Sequence, residues 1–217
     1  MIEVITAKNC GFCFGVRKAV DALLGEIESG QKNNTRVYLF GKIIHNNYFL
    51  NGLSEKNVVI IDDARIDCVY KELKQTENKA GLPDYFEFEE NSAVIIRAHG
   101  IPKIIFEYLL GIQKQKNLRI IDATCECVNK MHIIAEKNTA ENTFTIIFGD
   151  KNHPEIIALD SYVNGNRQII KDFEELKSDF KLNKKFKKLI ILAQTTHNIK
   201  DYMKCKDFIK EKCAVTT

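Results

Sequence analysis

Short, continuous apolar runs alternate along this chain with stretches of helical periodicity, and that alternation restricts the fold more than any other feature. The strand-like runs lie at 3–6, 36–40, 58–61, 93–97, 118–121, 143–148, 167–170 and 188–192. Most are apolar throughout rather than alternating, the pattern of strands buried on both faces of a parallel sheet. Between them, 15–29 carries Val16, Ala19, Val20, Leu23, Leu24 and Ile27 on one helical face. The stretches 45–52, 102–116, 127–138 and 198–212 also read as helices, the second with Pro102 near its first turn. The fold class predicted is therefore α/β, with parallel sheets flanked by helices. A polar stretch at about 62–91 interrupts the pattern and reads as a surface insertion. One strand–helix series ends near Ala123-Thr124-Cys125 and a similar one begins, which divides the chain into units 1–124 and 125–217.

The strand ends resemble one another. Phe40-Gly41 leads to His45, Arg97-Ala98 to His99-Gly100, Phe148-Gly149 to His153-Pro154-Glu155, and Ala193-Gln194 to Thr195-Thr196-His197. In parallel α/β sheets the carboxyl ends of strands form the ligand crevice, and helix N-termini there favour anions. Repeated imidazoles at such positions point to a negatively charged small molecule. His132 and Cys205 read as ordinary helix residues. Glu155 is the carboxylate nearest in sequence to one of the repeated histidines and could deliver a proton or simply cap a first turn. Thr195 and Thr196 could cap a helix, bind a ligand or relay a proton.

Seven cysteines in a chain without a secretory signal are thiols rather than disulfides. Cys10-Gly11-Phe12-Cys13 has a metal-compatible spacing and precedes a helix, whose N-terminus favours negative charge. Asp122-Ala123-Thr124-Cys125 occupies the same position in the second series. Thiolates so placed select zinc or iron–sulfur groups over hard cations. A zinc-binding module using Cys10, Cys13, Cys125 and Cys127 is one reading, but it leaves the histidines and Glu155 without a role. The net charge of +3, from 32 basic against 29 acidic residues, gives no reason to expect nucleic acid. The longest apolar runs are too short to span a membrane, and the expected location is the cytoplasm.

Taken in order, Gly11-Phe12-Cys13-Phe14-Gly15-Val16, Ile44-His45-Asn46-Asn47, Arg97-Ala98-His99-Gly100, Asp122-Ala123-Thr124-Cys125, Asn152-His153-Pro154-Glu155 and Gln194-Thr195-Thr196 closely resemble the motifs of the LytB family. These are the 4-hydroxy-3-methylbut-2-enyl diphosphate reductases, which complete the methylerythritol phosphate route of isoprene biosynthesis. The resemblance implies a 4Fe-4S cluster held by three cysteines, of which Cys13 and Cys125 match two. It implies that His45, His99 and His153 line a diphosphate-binding pocket, that Glu155 delivers protons and that Thr195 is its hydrogen-bonding neighbour. An allylic diphosphate is the implied substrate, with ferredoxin or flavodoxin as electron donor.

The resemblance also implies three α/β units, and the chain, ending at Thr217, has the first two. The expectation is a truncated chain, either a reductase lacking its third cysteine ligand or an inactive remnant. Cys213 falls at the end of a helix and is not expected to replace that ligand. Ala158 stands where the family pattern suggests glycine.

Overall fold

A computed structural model describes residues 3, 5, 11–44, 46–76, 83–180 and 186–214. Half of the strand expected at 3–6, together with Cys10 and His45, lies outside these residues.

The first sheet is built from α1 (Phe14–Asn33), β1 (Val37–Phe40), α2 (Asn47–Ser54), β2 (Val58–Ile61), α3 (Asp63–Gln75), β3 (Ala93–Ile96), α4 (Lys103–Lys116) and β4 (Arg119–Asp122). Its four strands are all parallel, in the order β2-β1-β3-β4. The second follows with α5 (Glu126–Asn138), β5 (Thr143–Phe148), α6 (Pro154–Ser161), β6 (Asn166–Ile170), α7 (Phe173–Asp179), β7 (Lys188–Ala193) and α8 (Ile199–Ala214). Its three parallel strands run in the order β6-β5-β7. Both orders contain a reversal. From β1 the chain steps outward to β2 and returns to β3 on the other side; from β5 it steps to β6 and returns to β7. Such a switch point opens a crevice at the carboxyl ends of the strands on either side of it, β1 and β3 in the first sheet and β5 and β7 in the second.

Local chemistry sets the element ends. The side chains of Asn46, Asp62 and Asp172 accept the backbone N–H groups of Phe49, Arg65 and Glu175, capping α2, α3 and α7. Asn34 and Asn117 end α1 and α4 in the left-handed conformation, which asparagine tolerates better than most residues. Every residue of the inner strands β1 and β3 is buried, whereas β4, at the edge, is largely exposed or half-buried. The buried apolar side chains form clusters on the two faces of each sheet.

The stretch 62–91 is, in its described parts 62–76 and 83–91, not a surface insertion. Strand–helix alternation continues through it as α3, which buries Ile66, Val69 and Leu73. Beyond it, Phe86 and Phe88 pack edge-on against Phe40 and Tyr38 in the core of the first sheet. The buried stripe is only three residues wide and is masked in sequence by the charged solvent face of the helix. Among the described residues no helix is long and apolar enough to cross a membrane.

Candidate active site at the carboxyl ends of the strands

The β3–β4 pairing continues past the strands: Ala123 N–H donates to Ile96 O at 3.0 Å and Cys125 N–H to Ala98 O at 2.9 Å. Cys125 is thereby fixed beside the turn that carries His99. Asp122 holds the intervening turn by accepting hydrogen bonds from both the backbone N–H and the hydroxyl of Thr124. Cys125 then N-caps α5, as Cys13 N-caps α1, and neither thiol bonds to its own helix. The two helices meet closely. A Cβ on Gly15, two residues after Cys13, would stand 2.6 Å from Cys125 Sγ, so only glycine fits there. Cys13 is exposed and Cys125 half-buried.

The histidines bridge the two sheets. The rings of His99, after β3, and His153, after β5, meet edge-to-face with centroids 5.2 Å apart. His153 is the N-cap of α6, and its Nδ1 accepts the Glu155 backbone N–H at 3.2 Å. Glu155, only 3% exposed, extends to the end of β7. There its Oε1 accepts the Thr195 N–H at 2.6 Å and its Oε2 the Thr195 hydroxyl at 2.9 Å. Gln194 N–H donates to Phe148 O at 2.7 Å, which sets β7 beside β5 so that Thr195 reaches Glu155. One run of contacts therefore links the start of α1 through Cys125, His99, His153 and Glu155 to Thr195.

Sequence reasoning overlooked Arg97 and Asp63. Arg97 is buried at the end of β3, where its two terminal nitrogens grip both carboxylate oxygens of Asp63, the first residue of α3. The guanidinium lies over Gly41, at the end of β1, whose φ of +76° and lack of a side chain leave the room. One side chain thus ties together the ends of β1, β2 and β3. Burial acts to raise the Asp63 pKa, but the hydrogen bonds and charge of Arg97, aided by His99 and Lys42, outweigh it and hold the carboxyl below its usual 3.8. The available sequence signal was Arg97 within its motif, a charged residue directly following an apolar strand.

His132, expected to be an ordinary helix residue, is instead 4% exposed and lies under the His99 turn. Cys127 and Cys68 are exposed on α5 and α3, and Cys205 is buried in α8. Cys213 is in the last turn of α8, about 21 Å along the axis from Ile199 at 1.5 Å per residue, and packs against the core of the second sheet. Ala158 is fully buried in α6, and the helix accommodates its methyl group. Phe12 and Phe14, on either side of Cys13, are 45% and 70% exposed.

Residues 4–217 match the profile of the LytB protein family. The chain belongs to the LytB family. Among proteins similar to this LytB chain is the 4-hydroxy-3-methylbut-2-enyl diphosphate reductase of Caldanaerobacter subterraneus subsp. tengcongensis, 31% identical over 212 residues, with 97% of this chain and 63% of that protein covered. The enzyme of the same name from Helicobacter pylori (strain Shi470) is 34% identical, with 98% and 64% covered. The chain thus spans just under two thirds of the length of these relatives. Of solved structures, one of (E)-4-hydroxy-3-methyl-but-2-enyl diphosphate reductase superimposes with a TM-score of 0.64 at 30% identity, covering 97% of this LytB chain and 64% of the other. The E-1-hydroxy-2-methyl-but-2-enyl-4-diphosphate reductase of Plasmodium falciparum gives 0.67 at 26% identity, with 95% and 56% covered.

The donor set can be tested against an iron–sulfur group. Cys13 and Cys125 place soft thiols at the starts of two helices that meet at Gly15, and thiols are the donor chemistry an iron–sulfur group takes. Among the described residues no group of three histidine, cysteine or acidic side chains is placed to hold a metal ion. A three-cysteine cluster therefore needs a further ligand beyond this pair.

Proposed function

We propose that this chain provides two of the three α/β units of a reductase that removes the hydroxyl of (E)-4-hydroxy-3-methylbut-2-enyl diphosphate, yielding isopentenyl and dimethylallyl diphosphate. The units are 1–124 and 125–217. The observation that carries the reading is the continuous set of contacts from the α1 start through Cys125, His99, His153 and Glu155 to Thr195. It collects thiols, imidazoles and a buried acid at one edge of two parallel sheets.

Overall, the reaction takes up two electrons and two protons, breaks one C–O bond and releases water. Cys13 and Cys125 would hold a 4Fe-4S cluster, which when bound supplies the electrons one at a time and a Lewis-acidic iron for the hydroxyl. His99, His153 and His45 bind the diphosphate or the hydroxyl end of the substrate. The edge-to-face pair orients both imidazoles without a covalent link. As a carboxylate, Glu155 accepts the Thr195 hydroxyl at Oε2, 2.9 Å away; once protonated, Oε2 donates to that hydroxyl, which relays the proton. Burial of Glu155 keeps bulk water from competing for that transfer. Electrons come from a small donor protein, ferredoxin or flavodoxin, and the enzyme works in the cytoplasm.

Anaerobic reconstitution with iron and sulfide tests this reading. Broad visible absorbance and substrate-dependent oxidation of a reduced viologen are expected. A colourless protein that binds zinc and no iron would replace the reading with the zinc module.

A further inference from the structure

One buried side chain outside the proposed chemistry touches two arms of the site from a helix that carries a third. His132 lies on α5 seven residues after Cys125, two turns along and on the same side of the helix. Its ring lies flat on Tyr162, with centroids 4.3 Å apart and planes within 9°. Tyr162 is the C-cap residue of α6, whose N-cap is His153 and whose first turn holds Glu155. A Cβ on Gly100 would approach His132 Cε1 to 2.8 Å, and Gly100, at φ +73°, directly follows His99. The imidazole therefore lies between the turn bearing His99 and the helix bearing His153.

Packing against Tyr162 and the Gly100 turn holds the ring there. Its Nε2 is buried and has no hydrogen-bond partner. Burial pushes its pKa down to about 4 against the opposing charge of Asp122, so the imidazole is neutral at ordinary pH.

We propose that His132 is a positioning residue, a flat spacer whose thickness sets the distance between the His99 turn and α6 and so holds the His99–His153 pair together. The kinetic importance of that pair rests on the reductase reading; the spacing itself does not. Loss of the ring lets the Gly100 turn settle towards α5 and parts the two histidines.

The test uses the full chain with labelled histidine rings, observed by NMR without iron or substrate, each signal assigned from single-histidine variants. The wild-type chain should give a through-space cross-peak between the His99 and His153 rings. His132→Phe, which retains a flat ring and loses both nitrogens, should keep it. His132→Leu, which loses the flat face, should abolish it while the rest of the spectrum stays dispersed. If His132→Leu does not fold, Tyr162→Leu removes the other half of the stack and should give the same loss. A cross-peak of wild-type intensity in a folded Leu variant overturns the proposal, as does its loss in a folded Phe variant. Failure of the reconstituted wild-type chain to turn over the allylic diphosphate would count against the reductase reading alone.

Discussion

Glu155 and Thr195 form the most closely constrained pair in the site, because two hydrogen bonds join a buried carboxyl to one residue. Glu155→Gln preserves shape and removes the exchangeable acid. In a reconstituted active enzyme it should lower turnover by about 10²-fold or more, the usual range for losing a general acid, with the circular dichroism spectrum unchanged. A loss under about threefold would remove Glu155 from the proton path. Asp63 makes a different prediction at the same scale. Its pKa is held below the ordinary 3.8 in the folded chain, so its stabilising effect is complete above that ordinary value and is lost as the pH falls through the lower folded one. Asp63→Asn should therefore destabilise the chain at pH 7 by about 1–2 kcal/mol, a figure kept small because Asp63 is half-exposed. The difference in melting temperature between wild type and variant should narrow below about pH 4, and an unchanged difference there would contradict the assignment. The sequence pointed to Glu155, Thr195, His99 and His153 through their motifs. It said nothing of Asp63, because an aspartate opening a helix has the same appearance whether it caps the helix or grips an arginine 34 residues away.

At the scale of elements, the meeting of α1 and α5 depends on one glycine. Gly15→Ala would bring a methyl group within 2.6 Å of Cys125 Sγ. Alanine suits a helix, so propensity predicts a gain, whereas overpacking predicts a loss of about 1–3 kcal/mol. The expected result is a lower urea midpoint together with reduced iron incorporation on reconstitution. Iron uptake equal to wild type would show that the contact does not set the thiol positions. Strands were the most legible elements. The seven described ones begin and end within one residue of their predicted limits, because continuous apolar runs bounded by polar residues have few other ways to be buried. Helices with narrow buried stripes were less so. Only Ile66, Val69 and Leu73 of α3 are buried, and the seven-residue α7 buries Leu176 alone. Periodicity over so few apolar positions does not stand out from a charged background.

For the molecule as a whole, the core is divided. None of the described clusters of buried apolar residues extends from one sheet to the other. The sheets are joined instead by the His99–His153 rings, the His132 ring against the Gly100 turn, the Lys103–Glu136 ion pair and a hydrogen bond of 2.8 Å from Lys103 N–H to Ser161 Oγ. Units joined mainly by polar contacts open independently more readily than units sharing a core. Amide exchange should therefore give the inner strands of the first sheet, β1 and β3, a different opening free energy from β5 and β7. A single shared value across both sheets, with the same denaturant dependence, would mean that the polar joints couple them fully. The site lies at this joint, so its geometry depends on how the two units are held.

The sequence by itself determined the α/β class, the order of the strands along the chain and the identity of most candidate site residues, since these follow from local hydrophobic periodicity and short motifs. Only the tertiary structure decided which strands became neighbours, and with that the placing of His99 against His153, Cys125 against Gly15 and Glu155 against Thr195. Arg97 and His132 belong wholly to the second group. Their surroundings are Gly41, Asp63, Gly100 and Tyr162, residues distant along the chain that meet only when parallel strands return on the far side of a switch point. A buried charge or an imidazole without a partner at Nε2 is costly alone and tolerable only in a packed setting, and that setting is a property of the folded chain.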